Sequence, residues 1–360
     1  QRMKKFAYYL PQFHEIEENN RWWGKGFTEW VNVKKAQPLF KGHKQPIIPL
    51  NKNYYNLENP NILVWQANLA KKYGVDGFIF YNYYFCGKKL LEKPAKILLK
   101  NNNIPMKFFF CWANHSWFRS WEGSKELLLK QTYGNKDDWE QHFQYLLPYF
   151  KDDRYEKKNN KPIFQIYKAD FKEFSDIFSY FNKRCQDEGF EGLYVFISET
   201  RYDNVNVLRD SALDFEYTYS IREPDASLNE YRKSIFHKIK NRIGTFSRLL
   251  GIKYMERYDG NRLYDIMEKK HFDNSIVRGL FFSWDNTPRH GYRGFVVQEP
   301  QKSNYIKYMD SLKNTEYVFI NAWNEWCEGM ILEPTEEKGY EYLEWIKEWS
   351  EKNENRIDGI

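Results

Sequence analysis

Glu325 and Glu328 stand three residues apart in Asn321-Ala-Trp-Asn-Glu-Trp-Cys-Glu-Gly329, interleaved with Trp323 and Trp326. The apolar run Tyr317–Ile320 just before them reads as a buried strand. Paired acids at the mouth of a strand, walled by indoles, suit the chemistry of sugars. Indole rings stack on the apolar faces of pyranoses, and carboxylates move protons at a glycosidic oxygen or a sugar hydroxyl. Neighbouring carboxylates also split their pKa values, and flanking by Trp323 and Trp326 would raise the protonated one further. The plainer alternative is a surface turn with two solvated glutamates and two half-buried tryptophans. The strand position and the clusters elsewhere in the chain weigh against it.

Those clusters follow other apolar runs. The first run contains Tyr8 and leads to Gln12 and His14, then to Arg21-Trp-Trp-Gly-Lys-Gly-Phe-Thr-Glu-Trp30 with Trp23, Glu29 and Trp30. Tyr81 and Tyr83 end the second. Asn114, Trp117, Arg119 and Trp121 follow the third, Glu199 the fifth, and Trp284, Asp285 and Asn286 the seventh. Asn324 lies between the tryptophans of the acid motif. Each has a structural alternative. His14 orients a hydroxyl rather than moving protons; Arg119 binds an anionic group or braces its loop. Asp285 and Asn286 contact substrate or form an Asx turn. Glu199, Asp214 and Glu216 bind hydroxyls or pair with arginines. Of Trp23, Trp30, Trp117 and Trp121, at least two should line a cleft and the others join the core. Glu333 with Pro334 shapes the loop after the acid pair.

The elements that must position these residues are short and repetitive. Eight apolar runs recur: Phe6–Leu10, Gly77–Tyr83, Lys107–Trp112, Pro162–Tyr167, Leu193–Ser198, Ala212–Glu216, Gly279–Ser283 and Tyr317–Asn321. Amphipathic segments separate several of them: Asn61–Tyr73, Asp138–Phe150, Glu173–Glu188, Tyr264–Lys270 and Gln301–Lys313. Such alternation predicts α/β architecture, a single (β/α)₈ TIM barrel with long βα loops, whose C-terminal face carries the site. Tyr340–Lys352 reads as a closing helix with Tyr340, Leu343, Trp345, Ile346 and Trp349 inward. One domain is expected over residues 1–360, with a basic helical insertion between strands six and seven, at about 224–262.

Composition narrows the class. The 360 residues are 29 % charged and 42 % hydrophobic, a globular balance, and 19 % aromatic with 13 Trp. The net charge of +6 is modest and no zinc-finger or RNA-recognition pattern occurs, so nucleic acid is not an expected partner. Cys86, Cys111, Cys185 and Cys327 form no CxxC pair, and no metal or cofactor is expected. Reduced cysteines and the lack of an apolar leader or an eighteen-residue apolar run point to a cytoplasmic protein. Tyr231–Arg257 carries eight Lys or Arg residues among Ile, Leu and Phe. It reads as an outer helix packing its apolar side on the barrel, or as a dock for an anionic membrane and a lipid-linked glycan at the inner membrane face.

Several motifs together resemble a known family. Tyr8-Tyr-Leu-Pro-Gln-Phe-His14, Trp22-Trp-Gly-Lys-Gly-Phe-Thr-Glu-Trp30, Cys111-Trp-Ala-Asn-His115, Trp284-Asp-Asn-Thr-Pro288 and the acid motif resemble the WbsX-like proteins of bacterial polysaccharide biosynthesis loci, which are similar to glycoside hydrolase family 99. His115 stands where many relatives carry an acid. The resemblance implies a (β/α)₈ barrel and retaining chemistry on α-linked, mannose-like residues. In it the substrate's own 2-hydroxyl attacks to give a 1,2-anhydro sugar; Glu325 would deprotonate that hydroxyl and Glu328 would protonate the leaving oxygen. Three functions are open: a glycosidase-like enzyme on a surface polysaccharide or its precursor, a glycosyltransferase or transglycosylase of O-antigen or capsule assembly, and a non-catalytic glycan-binding protein. The chain has no Asp-x-Asp motif and no Rossmann fingerprint, which disfavours a nucleotide-sugar transferase. Binding alone does not require a paired acid and base.

Overall fold

The computed structural model describes residues 2–121, 124–205 and 213–357. Among them, eight parallel strands form a closed barrel. In chain order these are β1 (Lys4–Tyr9), β2 (Gly77–Phe85), β3 (Lys107–Trp112), β4 (Lys161–Ile166), β5 (Tyr194–Glu199), β6 (Glu216–Ile221), β7 (Arg278–Phe281) and β8 (Tyr317–Asn321). Pairing runs β6-β5-β4-β3-β2-β1-β8-β7. The β6–β7 seam closes through Val277, whose backbone bonds Tyr219 and Ile221 at 2.9 and 2.8 Å. Glycine is required at that seam, because a Cβ on Gly279 would lie 2.5 Å from the Ile221 carbonyl oxygen and 2.7 Å from the Glu223 nitrogen.

Helices cover the outside: α1 (Pro60–Lys72), α2 (Lys93–Lys100), α3 (Lys136–Phe150), α4 (Phe174–Asp187), α5 (Asp225–Lys233), α6 (Ile235–Leu249), α7 (Gly260–Lys269), α8 (Lys302–Ser311) and α9 (Glu341–Ile357). The closing helix α9 buries Leu343, Trp345, Ile346 and Trp349, while Tyr340 is only half-buried. The long connection after β1 contains the short helices Glu17–Trp23 and Glu29–Lys35.

The barrel interior is layered. Phe6, Phe109, Phe196 and Phe319 pack ring to ring, with centroids 5.1 to 5.9 Å apart. Above them lies a polar layer in which Gln165 Nε2 donates to the Tyr8 hydroxyl and to Ser220 Oγ, both at 2.8 Å. Inward-facing residues thus pass from apolar to polar toward the C-terminal ends, where barrel sites form.

Two expectations are corrected. The sixth strand is Glu216–Ile221, not Ala212–Glu216, whose first residue lies outside the described residues. Asp214 and Glu216 therefore sit at its start, bonded to Ser179 Oγ (2.5 Å) and to Lys161 Nζ (2.7 Å), at the opposite end of the strand from the C-terminal mouth. Its inward residues include Thr218, which donates to the Ser275 carbonyl, and Ser220 of the polar layer, which together remove the apolar signature. Secondly, α6 does not pack its apolar side on the barrel. Ile235, Ile239, Ile243, Phe246 and Leu249 are exposed, whereas His237 and Gly244 are buried.

Candidate active site

The acid pair stands at the C-terminal end of β8. Glu325 pairs with Met330 in a two-residue antiparallel ladder, and Trp326–Glu328 form a 3₁₀ turn ending at Gly329 in the left-handed region (φ 60°). This turn presents both carboxylates, each partly accessible, over the barrel mouth.

The two acids have different surroundings. Glu328 is anchored: Arg289 Nη1 donates to its Oε1 at 2.8 Å and Trp284 Nε1 to its Oε2 at 3.0 Å. The same guanidinium reaches Glu29 Oε2 at 3.1 Å, so one arginine ties the loops after β1, β7 and β8 together. Glu325 lies near Tyr81 and Tyr83. Burial, then the charge of Glu328, push its pKa up to about 7, against the pull of Arg222 and Arg289. The raised acid is thus Glu325, and the cause is not the expected pair of indoles. Trp323 is fully buried against Phe78, and Trp326 packs on Trp30 and donates to Glu333. The indole that touches the pair is Trp284.

Below Glu325 lies Arg222, a buried cation that the sequence reading missed. Its guanidinium stacks 3.9 Å from the Tyr167 ring centroid and 5.3 Å from that of Tyr8, and Nη2 donates to the Tyr81 hydroxyl at 3.3 Å. Asp225, at the start of α5, lies close enough to Arg222 and Glu328 for both charges to act on it, though burial dominates and raises its pKa. Once β6 ends at Ile221, the run Arg222-Glu-Pro-Asp225 falls at its C-terminal mouth. A correct boundary was the signal that would have found it. His115, noted in the sequence only for standing where many relatives carry an acid, is half-buried with its ring 5.4 Å from that of Tyr167, and burial lowers its pKa to about 4.

Other expected residues divide between cleft and scaffold. Tyr8, Tyr81 and Tyr83 surround Arg222 and Glu325, with Tyr8 stacked on Tyr81 at 5.5 Å. Trp117 meets Tyr83 and Trp22 edge to face, and Trp23 is 45 % exposed beneath the Arg119 guanidinium. This aromatic group forms a second wall, with Arg119 also 3.6 Å from Glu126. The Trp121 side chain lies outside the described residues.

The remainder brace the site. Trp30 is buried among Phe13, Tyr55 and Trp326. Asn324 clips Leu10, accepting from its N–H at 2.7 Å and donating to its carbonyl at 3.0 Å. Asn114 bonds Tyr133 and both backbone groups of Lys168, Asn286 accepts from the Phe295 N–H, and Glu199 accepts from the N–H groups of Thr200 and Arg201. Asp285 ties His43, Gln45 and Thr287. Gln12 is half-buried, and its carbonyl accepts from the Glu29 N–H. His14 is fully enclosed; burial, then Lys93, lower its pKa to about 4, so it stays a neutral packing residue away from the acid pair. Glu333 accepts from Tyr55, Gln66 and Trp326, the loop-shaping role expected of it.

Comparison with known proteins agrees with this architecture. A curated relative from Xanthomonas campestris pv. campestris (strain B100), described as "Uncharacterized protein WxcX", is 31 % identical over 353 residues, which is 94 % of this chain and 48 % of the relative. The chain thus spans about half the length of the curated relatives it matches. Among solved structures, the GH99 endo-alpha-mannosidase from Bacteroides thetaiotaomicron superposes with a TM-score of 0.58 at 10 % identity, over 98 % of both chains. A structure described as a glycoside hydrolase-like protein gives 0.58 at 12 %, over 97 % of this chain and 94 % of its own. These likenesses bear on the fold. The family model described as glycosyltransferase WbsX matches residues 5–346, and the chain belongs to that family.

Proposed function

We propose that residues 1–360 form a glycosidase-like catalytic unit that cleaves or remodels an α-linked, mannose-like bacterial surface glycan or its lipid-linked precursor, with retention. The observation that carries this is Glu325, a carboxyl raised to about 7 beside Glu328 at a barrel mouth. A base serves best when its pKa lies near the working pH. At that value Glu325 is a stronger base than an ordinary carboxylate and remains largely ionised in mildly alkaline solution. It would take the proton of the sugar 2-hydroxyl, whose oxygen attacks C1 to close a 1,2-anhydro ring. Glu328 would face the departing oxygen and supply its proton. Arg222 beneath the pair offsets negative charge gathering there, and Trp284, Trp117 and Trp23 offer faces to sugar rings.

A second reading, transfer from a phosphate-linked donor, draws on Arg289. The Arg289 guanidinium, 2.8 Å from Glu328 at the barrel mouth, is a cation that suits an anionic leaving group, which needs no proton.

The test is turnover of α-linked mannosides and of the glycan itself. Glu325→Gln and Glu328→Gln should each keep the thermal midpoint and lose about 10²-fold or more in rate. Wild-type activity in either would sink the assignment. An aryl leaving group should rescue Glu328→Gln more than Glu325→Gln, and equal rescue would undo the division of roles. Activity that needs Mg²⁺ or Mn²⁺ and a nucleotide sugar would favour a transferase.

A further inference from the structure

Helix α6 is turned inside out for a helix on a protein surface. A surface helix normally buries its apolar stripe and exposes its polar one. Here Ile235, Ile239, Ile243, Phe246, Leu249 and Leu250 are 54 to 80 % exposed, and Ile252 just beyond is 56 % exposed. At 100° per residue the first six occupy an arc of roughly 120°, one continuous ridge. The opposite side carries His237, buried against Tyr231 and Tyr258, and Gly244, where a Cβ would lie 2.4 Å from the Tyr254 ring. Among the described side chains, the inward face thus carries His237 and Gly244, and the outward face is what a core would normally contain. An exposed apolar ridge of this extent marks an interaction surface.

The charge around the ridge identifies the occupant. Lys238 and Arg242 are exposed on or beside it, Lys240 lies toward its flank, and exposed Lys253 follows it. No acidic residue occurs between Tyr231 and Met255. Ile, Leu and Phe bordered by Lys and Arg, with no acid, is the composition of a helix lying in the plane of an anionic bilayer: the apolar ridge enters the acyl boundary and the cations meet the headgroups. The ridge is also tied to the cleft. The chain leaves α6 into Glu256–Asp259, which pairs with Phe295–Gln298, which pairs with Trp284–Asp285, and Trp284 bonds Glu328.

We propose that α6 and the turn after it form a membrane-docking surface that seats this protein on an anionic lipid bilayer. This surface stands apart from the acid pair, and its test reads binding rather than turnover.

The experiment is co-sedimentation of the 360-residue chain with phosphatidylglycerol–phosphatidylcholine vesicles and with pure phosphatidylcholine vesicles, at low and high salt. Pelleting is expected with the anionic vesicles, falling in high salt and weak with the neutral ones. Ile243→Asp with Phe246→Asp should lower partitioning at least about tenfold, because each removes apolar area from the ridge. Lys238→Glu with Arg242→Glu should do the same, at about fivefold or more per charge. All four side chains are exposed, so the thermal midpoint should hold in both variants. No pelleting with anionic vesicles at low salt overturns the proposal, as does equal pelleting of the Asp variant. Sedimentation velocity covers the rival occupant: a dimer abolished by Ile243→Asp, without vesicle binding, would make the ridge an interface between copies of the chain.

Discussion

Replacing Arg289 with Gln removes the cation shared by three loops. The guanidinium lies 2.8 Å from Glu328 and 3.1 Å from Glu29, whose side chain is 5 % exposed. Breaking a buried ion pair typically costs 3–5 kcal/mol, mostly because the remaining charge is stranded in a poor solvent. The Arg289 side chain is itself 37 % exposed, so water screens part of the interaction and the expected loss falls to about 2 kcal/mol. A 360-residue chain unfolds with an entropy of about 0.76 kcal/mol/K, from about 2.1 cal/mol/K per residue, so the midpoint should drop by about 3 °C. Thermal melts of wild type, Arg289→Gln, Glu29→Gln and the double variant at neutral pH give the cycle. If stranded Glu29 is the cause, the double variant melts above Arg289→Gln. A single variant that melts like wild type, or a double variant no better than Arg289→Gln, would refute the reasoning. The same substitution removes a charge that holds Glu325 down, so Glu325 should titrate higher. Carboxyl-carbon NMR would read that shift directly.

The pH dependence of Glu325 has a definite sign. Its folded pKa is raised from 4.5 to about 7, so its contribution to stability is fully present below about pH 4.5 and is lost as pH rises through about 7. Glu325→Gln should therefore lose less stability than wild type across that window; parallel pH–stability curves would contradict it. Turnover should show the opposite trend, rising through about pH 7 as the base ionises, and a flat profile across that region would argue against Glu325 as the base. Asn324→Ala should strand the Leu10 N–H and carbonyl inside the protein. Two unmet buried groups cost about 3 kcal/mol together, or about 4 °C in the melt; an unchanged midpoint would mean that water or a rearranged loop satisfies them.

Much of the barrel was legible in the chain. Seven of the eight apolar runs overlap their strands closely, because a parallel strand buried on both faces is largely apolar, as Gly77–Phe85, buried at every position, is. Strand six departed from that rule for a reason internal to the barrel. Its inward Thr218 and Ser220 carry hydroxyls that bond the Ser275 carbonyl and Gln165, so hydrophobicity marks the wrong end of the segment. The shift concealed Arg222, and with it the charge under the acid pair. The helix over Ile235–Leu249 was legible as amphipathic, yet its facing was not. Periodicity defines two faces of a helix and does not say which one meets the barrel.

By itself, the sequence determined the parallel α/β pattern, the placing of polar clusters after strands, and the adjacency of Glu325 and Glu328. These depend on residue type and order, which local physics reads directly. The tertiary structure decided which side chains those clusters send into the cleft. Trp323, Trp326 and Asn324 looked like sugar contacts, but the turn after β8 directs them into the core, and Trp30, on the short helix Glu29–Lys35, packs there against Trp326. There the large rings escape water and the amide satisfies Leu10. Trp284 and Arg289 arrive at Glu328 from another strand's loop, and Arg222 gathers Tyr8 and Tyr81 from two strands and Tyr167 from just after a third. Such meetings depend on barrel closure, which brings residues more than a hundred positions apart to one mouth. A buried cation can be recognised only after the groups that compensate it are in place.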